Sequence, residues 1–485
     1  PGAPVLQDRL FLNNGQGQFS RAPEGSLPDF RESSGVSAAA DFDRDGDLDL
    51  FVGSRSIPGE FPLSPKSALL SNDGSGRFSL VTAEIAPELV EAGMVTSAVW
   101  TDVDGDRWLD LMVTTEWGPI KLFRNREGKL VDETKASGLV KEGLASLGWW
   151  TGIDGGDIDN DGDIDYVATN LGRNSTYNAS LDSPELIFYG DFDRSGKDHI
   201  VEARFLVENG KKICYPRRGL GAVVEAMPWI LDKVQTFHNY AVLPLSGIYD
   251  IQLLQSSKQF VANNMDTSLL INDGEGNFTI SPLPHLAQIS PGFGVVLRDV
   301  DMDGLLDCYI VQNHFNITLE QGRLDGGLST FLRGTGDSEE PFEMVWHHES
   351  GLVVPGDAKS LAAVDVNLDG WEDFVVGVND EDPMIFVNSM QEKSENRPLR
   401  IRLDGANGNP TAIGAKVTVE TSRIPAQTAE ITAGGSYLSQ SSSDLIFAVS
   451  KDNSDPVSVT IQWPDGKKSK MNAESEVRFL SLDRK

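Results

Sequence analysis

The sequence has few of the residues that most enzymes use for their chemistry, and few cations. Only 2 cysteines and 6 histidines occur in 485 residues. Cys214 and Cys308 cannot build a disulfide scaffold, and both are compatible with free buried thiols. The histidines fall in no arrangement that spacing reveals as a zinc or catalytic site. His347-His348-Glu349 is not H-E-x-x-H and reads as a solvated turn, and no G-x-S-x-G elbow is present. Basic residues number 41 against 73 acidic ones, a formal net charge of −32, which argues against nucleic acid and anionic membrane surfaces as partners. No apolar run approaches the roughly 18 residues of a membrane span. The sequence starts at Pro1 and not at Met, which is compatible with a signal peptide or anchor removed or left out, so the absence of a signal here proves nothing.

Aspartate and glycine are plentiful, and they are patterned. Residues 157–165 read D-I-D-N-D-G-D-I-D and lead directly into Tyr166, Val167 and Ala168. Asp157, Asp159 and Asp161 alternate along a short loop, Gly162 permits a sharp turn, and Asp165 closes the set. Six to eight oxygens suit a hard cation such as Ca²⁺, and carboxylates at positions 1, 3, 5 and 9 with a carbonyl near 7 supply most of them. An EF-hand would carry a glutamate at position 12 between two helices; here a short β-branched segment leaves the loop as a strand. The alternative is an acidic turn without metal, in which clustered carboxylates repel one another uncompensated.

The motif recurs. Asp41, Asp43, Asp45 and Asp49 repeat it around Gly46. Asp102, Asp104, Asp106 and Asp110 repeat it with Gly105 early and Arg107 where glycine is expected. Asp299, Asp301, Asp303 and Asp307 form a full copy, and Asp365, Asn367, Asp369 and Asp373 another with one amide oxygen. Asp191, Asp193 and Ser195 form a degraded copy whose ninth position is His199. Five to six Ca²⁺ sites are expected from these loops.

A second repeat runs out of phase: F-L-N-N-G-Q-G-Q-F at 11–19, L-S-N-D-G-S-G-R-F at 70–78 and I-N-D-G-E-G-N-F at 271–278. Asn-Asp-Gly between apolar segments is a hairpin signal. Each unit therefore reads as four antiparallel strands, in the first case 37–40, 48–53, 68–71 and 77–81. Such a repeat indicates β-propeller blades. Metal loops begin at 41, 102, 157, 191, 299 and 365, and the interval from 191 to 299 is about twice the others. A further blade with inner strands at 248–254 and 259–262 makes seven; six blades with a large insertion is the alternative. Residues 1–22 match the last hairpin of a unit and are expected to pair with the final blade and close the ring, or to belong to blades upstream in a longer protein.

Residues 217–240 place Leu220, Val223, Val224, Met227, Ile230, Leu231, Val234 and Phe237 on a helical stripe that Pro228 interrupts. The basic cluster K-K-I-C-Y-P-R-R precedes it. This insertion is read as a packed element, or as a lid over an anionic group. Residues 389–397 read as a linker, and 398–485 as a small β-sandwich-like domain.

Phe293-Gly294 before the loop at 299, and Gly148-Trp149-Trp150 before that at 157, resemble the entries of FG-GAP/VCBS repeats, which also build the calcium-binding propeller of integrin α subunits. A-I-G-A-K-V-T-V at 412–419, A-G-G-S-Y-L-S-Q-S-S at 433–442 and I-Q-W-P-D-G at 461–466 resemble the ASPIC/UnbV domain. The pairing is similar to that of bacterial VCBS-repeat proteins and of animal cartilage acidic protein. The resemblance implies an all-β protein: a Ca²⁺-binding propeller over residues 1–390, a C-terminal domain over 398–485, and a secreted or cell-surface location. The function expected is an adhesion or ligand-binding module for a protein or glycan. A polysaccharide-active enzyme with its site on the propeller axis, or an architectural subunit of a surface assembly, are the alternatives. Loops at 54–66, 114–120, 170–184 and 313–328 are expected to cluster opposite the metal loops. They carry Trp117, Arg173, Tyr177, His314 and Arg323 as candidate partner-binding residues, against the plainer reading of ordinary variable loops. Sequons at Asn174, Asn178, Asn277 and Asn316 matter only in a glycosylating host.

Overall fold

The short alternating segments on either side of each acidic loop form strands. In the computed structural model, which describes residues 2–316, 322–452, 454–473 and 476–484, the chain is mostly β. The first sheet runs in chain order through Ser34–Ala40, Asp49–Ser54, Ala68–Asn72 and Phe78–Leu80. The second contains Met94–Thr101, Asp110–Gly118, Lys121–Asn125 and Leu130–Asp132, with Gly148–Trp149 added on Asp110–Gly118. Ile153–Gly156 and Asp165–Ala168 begin the third, which Ser268–Asn272 and Phe278–Pro282 complete. Gly292–Arg298, Asp307–Gln312, Thr330–Gly334 and Phe342–Val345 form the fourth. The fifth has three strands, Ala358–Val364, Asp373–Val378 and Met384–Phe386. Successive sheets touch through their first strands, so the fold is propeller-like.

The expected count of seven blades is not what these sheets form. Residues 248–254, expected as an inner strand, lie in the helices Leu245–Ile248 and Ile251–Ser256. Lys258–Ala262 pairs with Glu185–Gly190, in a separate sheet with His199–Glu208 and Lys211–Pro216. The loop at 191 therefore belongs to a lobe inserted in the middle of the third sheet. The Asn272-Asp273-Gly274 hairpin closes that sheet and not a blade of its own. The physical reason is a hydrogen bond: Asn272 N donates to Asp165 Oδ1 at 2.9 Å, as Asn72 N does to Asp49 Oδ1 at 2.9 Å. The ninth aspartate of a loop thus selects its own third strand whatever the chain does in between. In the lobe, Pro228 stands between helices Leu220–Ala226 and Trp229–Val234, which pack with Tyr240, Leu245 and Tyr249 on Phe188 and Val201.

The N-terminal hairpin departs from expectation too. Among the described residues Phe11–Asn13 and Phe19–Arg21 pair only with each other, and not with Met384–Phe386. Gln7 and Asp8 bond instead to Pro28 and Ser34 beside the first sheet.

The C-terminal region is a two-sheet sandwich. Asn396–Asp404 lies between Leu445–Ser450 and Phe479–Asp483, and faces a sheet of Gln427–Glu430, Lys416–Glu420, Val457–Gln462 and Lys468–Ala473. Leu399, Ile401, Val417, Phe447, Val459 and Trp463 fill it, and Ala39 and Leu48 of the first sheet pack against the same core. It is not detached from the propeller. Its segment 433–442 enters the axis and bonds to the innermost strand of all five sheets. Ala39 N donates to Ala433 O (3.0 Å), Gly435 N to Ala98 O (2.7 Å) and Ser436 N to Ile153 O (2.5 Å). Val295 N donates to Ser436 Oγ (3.2 Å) and Leu361 N to Ser439 Oγ (3.2 Å). Ser442 N donates to Ala363 O (3.0 Å). Small residues are needed here: Gly434 has φ +133°, and a Cβ on it would meet Ala98 O at 2.7 Å and Ala38 Cβ at 2.8 Å.

Gly434→Val should therefore destabilise the whole chain, by about 3 kcal/mol from backbone strain and overpacking together. Thermal unfolding of the purified variant checks this; a wild-type melting temperature would mean that the axis tolerates the side chain.

Candidate functional site

Each acidic loop is organised by its own backbone. The first aspartate accepts the position-6 N–H: Gly46 to Asp41 (3.1 Å), Arg107 to Asp102 (3.0 Å), Gly162 to Asp157 (3.2 Å), Gly304 to Asp299 (2.8 Å) and Gly370 to Asp365 (3.0 Å). Position 4 takes a left-handed conformation at Arg44, Asn160, Met302 and Leu368. In the second loop Gly105 fills that place and Arg107, at φ +76°, takes the positive angle that glycine takes elsewhere. The departure in sequence therefore leaves the loop's shape intact.

In the first three loops these bonds leave one oxygen of the first carboxylate over, whereas both oxygens of Asp299 and of Asp365 accept backbone bonds. Asp41 Oδ1, Asp102 Oδ1 and Asp157 Oδ2 are buried without a hydrogen-bond partner, as is Asp301 Oδ1. Asp157 is only 2% exposed. Carboxylate oxygens gather within 4.8 Å of one another in Asp41/Asp43/Asp45, Asp102/Asp104/Asp110, Asp157/Asp159/Asp161 and Asp299/Asp301/Asp303. Burial, and then the neighbouring aspartate charges, raises Asp41 to about 6. Asp102 and Asp157 are each raised to about 6, again chiefly by burial. Buried, unpaired, mutually repelling oxygens suit a hard divalent cation. These four groups could hold metal ions.

The other two loops differ. At Asp365 the Arg400 guanidinium approaches to 3.4 Å, and Asn367 donates its amide to Asp369 at 2.9 Å, so charge there is partly compensated within the protein. At Asp191, Asp193 and Ser195 the nearest added group is His199, 3.8 Å from Asp193.

The ninth aspartate does two jobs that spacing does not reveal. Its Oδ2 accepts the position-2 N–H and its Oδ1 the third strand's N–H. Asp49 binds Phe42 and Asn72, Asp110 binds Val103 and Asn125, and Asp165 binds Ile158 and Asn272. Asp307 binds Val300 and Gly334, and Asp373 binds Val366 and Asn388. Burial raises Asp49 and Asp165 to about 8, and Asp110 and Asp307 well above the usual range.

The long loops on the other side meet, but their aromatic rings face inward. Trp117 and Tyr177 are 5% and 4% exposed and pack on Trp149 at 5.6 and 5.4 Å, with Phe61 and Leu324 beside them. They are core residues and not a recognition surface. Arg173 is exposed and pairs with Asp266 at 2.5 Å. Arg323 lies 3.5 Å over Phe315 and pairs with Asp325. Residues 317–321 of the loop at 313–328, and with them part of the Asn316 sequon, lie outside the described residues. His314 stacks edge-on against Phe293 at 5.6 Å, and Tyr437 of the axial segment meets the same ring at 5.1 Å. Lys359 Nζ sits 3.6 Å from the Phe293 ring centroid and binds Asp357. Arg55 pairs with Glu116 at 2.6 Å, and its Nη1 has no hydrogen-bond partner. Burial lowers His314 to about 4 and Lys359 to about 8. Arg55, Trp149, His314, Lys359 and Tyr437, all half-buried, thus form an aromatic and cationic mouth at the tip of the axial segment. Sequence reading missed Arg55, Lys359 and Tyr437. Arg55 had a signal in its loop, 54–66, and Tyr437 in A-G-G-S-Y; Lys359 had none.

A propeller-like body with acidic hairpin loops and a sandwich seated on its axis defines a class, and the sequence comparisons agree. The FG-GAP-like repeat family matches residues 6–52 and 102–168, and the ASPIC and UnbV family matches residues 405–484. The chain carries FG-GAP-like repeats and a C-terminal ASPIC and UnbV domain. No curated protein matches the sequence. Among solved structures, the exotype rhamnogalacturonan lyase YesX is similar at 13% identity over 76% of this chain and 58% of its own, with a TM-score of 0.29. The extracellular domain described as a hybrid two component system from B. thetaiotaomicron is similar at 9% identity over 96% of this chain and 58% of its own, with a TM-score of 0.16. The chain thus spans 58% of the length of each, and scores this low carry no common function.

Trp117→Ala and Tyr177→Ala should each cost about 3–5 kcal/mol, as truncation of buried aromatics does, read as a loss of melting temperature. A pH effect follows as well. Asp49 and Asp165 hold a proton more tightly in the fold than in the unfolded chain, between the ordinary 3.8 and about 8. The native state binds the extra protons there, so stability of the cation-free protein should fall as pH rises through that window. Melting curves in EDTA from pH 5 to pH 8 should show the decline, and added Ca²⁺ should flatten it; a rising curve in EDTA would contradict the assignment.

Proposed function

We propose that this chain is a Ca²⁺-loaded, extracellular propeller-like module that binds a protein or glycan ligand, as adhesion modules do, at the mouth around Tyr437. The observation that supports calcium is the set of buried carboxylate oxygens left without a partner at Asp41, Asp102, Asp157 and Asp301. When bound, the cation supplies charge compensation and coordination that the protein lacks in those loops. The residues that would hold it are Asp41, Asp43 and Asp45; Asp102, Asp104 and Asp106 with Asp110; Asp157, Asp159 and Asp161; and Asp299, Asp301 and Asp303. The other ninth aspartates, Asp49, Asp165 and Asp307, support these loops from beneath. The set with Asn367 is a weaker candidate because Arg400 already faces it.

The reading of an enzyme with a site deep on the axis is disfavoured by segment 433–442, which fills that position. The mouth at the tip of this segment is the place we assign to the ligand. There the half-buried Trp149 and Tyr437 offer ring faces, and Lys359 and Arg55 offer charge. Aromatic and cationic groups of this kind carry most of the energy in recognition sites. The architectural reading has no comparable feature in its favour.

Calorimetric titration with Ca²⁺ should show about four sites, and EDTA should lower the melting temperature by about 10 °C, since each site filled to 100 times its Kd adds about 2.7 kcal/mol. Asp159→Ala should remove one site and a fraction of the shift. Absence of binding heat together with an EDTA-insensitive melt would rule the calcium reading out. For the ligand, Trp149→Ala and Lys359→Ala should abolish capture on a glycan and surface-protein array while calcium binding persists. Release of new reducing ends from acidic polysaccharide would favour the enzyme instead.

A further inference from the structure

The C-terminal domain sits on the metal-loop face and touches all five of the propeller's acidic loops. Gly408 lies so close to the first that a Cβ would meet Gly46 O at 2.1 Å. Asp102 N, in the second, donates to Glu430 Oε1 at 3.2 Å. Asn160, in the third, donates to Ala426 O at 3.0 Å. Met302 O, in the fourth, accepts from Asn396 Nδ2 at 2.7 Å. Arg400 meets Asp365 in the fifth. The first four contacts use a loop's backbone or a residue next to its carboxylates and the fifth uses the first carboxylate itself, so each depends on the loop's shape. Among the described residues the loop at Asp191, in the inserted lobe, has no such contact.

We propose that cations in the first four of these loops clamp the C-terminal domain to the propeller, with Arg400 in that role at the fifth, and that the clamp holds segment 433–442 in the axis. The proposal rests on the calcium reading. A loaded loop has its carboxylates compensated and its left-handed position 4 fixed, so it presents a rigid surface. An empty one holds buried like charges that relax by moving apart. The loops are the seat of the domain, and the axial segment belongs to that domain. Emptying them therefore loosens seat and segment together, and Tyr437 leaves the mouth on the far side. Linkage makes the coupling reciprocal: whatever weakens the seat weakens calcium by the same factor.

Hydrogen exchange of the full chain, read by mass spectrometry in 1 mM CaCl₂ and in EDTA, tests this. Amides of 433–442 and their partners Ala39, Ile153 and Leu361 should exchange at least tenfold faster in EDTA. The lobe sheet of Glu185–Gly190 and Lys258–Ala262 should change less than twofold. Asn160→Gly with Asn396→Ala removes two neutral contacts of the seat, together with the bond from Asn160 to Gly304 O at 3.3 Å, and no carboxylate. Glycine keeps the left-handed angle of position 4, as Gly105 does in the second loop. The double variant should weaken Ca²⁺ about tenfold by calorimetry. Calcium binding with unchanged exchange at 433–442 overturns the clamp while the calcium reading stands. Equal acceleration of lobe and axial segment also overturns it, because the effect is then general unfolding. Unchanged affinity in the double variant overturns the coupling, and no binding at all removes the calcium reading and the clamp with it.

Discussion

The ninth aspartate of each loop is the constraint on which the rest of the structure depends. It is buried at the start of a second strand, where a carboxylate must be satisfied from all sides. One oxygen ties down the loop's second residue and the other ties the third strand, in all five sheets. The third-strand residue is usually asparagine, and its side chain reaches on. Asn125 Nδ2 donates to Phe42 O at 2.8 Å, Asn272 Nδ2 to Val103 O at 2.9 Å, and Asn388 Nδ2 to Val300 O at 3.0 Å. Each of these bonds crosses to the preceding sheet. A single Asp–Asn pair therefore fixes loop shape, strand pairing and the docking of neighbouring sheets. Gly334 takes the asparagine's place in the fourth sheet, and the backbone bond survives there without the crossing one.

This arrangement places negative charge where it is costly. Three to five aspartates per loop, several of them buried, would drive the loops apart if nothing opposed them. The chain opposes them with protein cations at some places: Arg400 at Asp365, Arg124 at Asp104 at 3.2 Å, and Arg333 at Asp301 at 3.6 Å. Asp41 Oδ1, Asp102 Oδ1, Asp157 Oδ2 and Asp301 Oδ1 stay unpaired. A low supply of lysine and arginine, read at the outset as an argument against nucleic-acid partners, is from this angle what leaves these oxygens free to hold metal ions.

The repeat character, the position of every acidic loop and the existence of a C-terminal β domain were legible, because each rests on local spacing. What was not legible rests on contacts distant in sequence. The third sheet is interrupted between Ala168 and Ser268, and interval counting converts that gap into extra blades. The criterion that would have resolved it is the pairing of an Asn-x-Gly hairpin with a ninth aspartate, and the hairpin at 272 had only Asp165 available. Trp117 and Tyr177 were chosen because loops with aromatics favour recognition, yet rings of this size in converging loops bury one another first. Ser436, by contrast, sits in a stretch recognised for its family pattern, and no spacing rule places a C-terminal serine against inner strands more than 300 residues earlier (Ser97 Oγ donates to Ser436 O across 339).

The axial segment also changes what the two ends of the molecule can do independently. A propeller closes by pairing its last strands with its first, which removes exposed edges. Here the first and fifth sheets do not share a strand; both bond to one segment of the sandwich, Ala39 through Ala433 and Ala363 through Ser442. The first and fifth sheets are thus linked through the centre and not by a shared strand. The strands at this hub are short, and the segment's small residues let five backbones approach one chain. The consequence is that fold and mouth share their parts. Tyr437 lies one residue beyond Ser436, so the side chain presented at the mouth is positioned by the same bonds that hold the sheets together. Substitutions that retune the mouth at Tyr437 are open, whereas those at Gly434 or Ser436 would alter the ring before they altered any ligand contact.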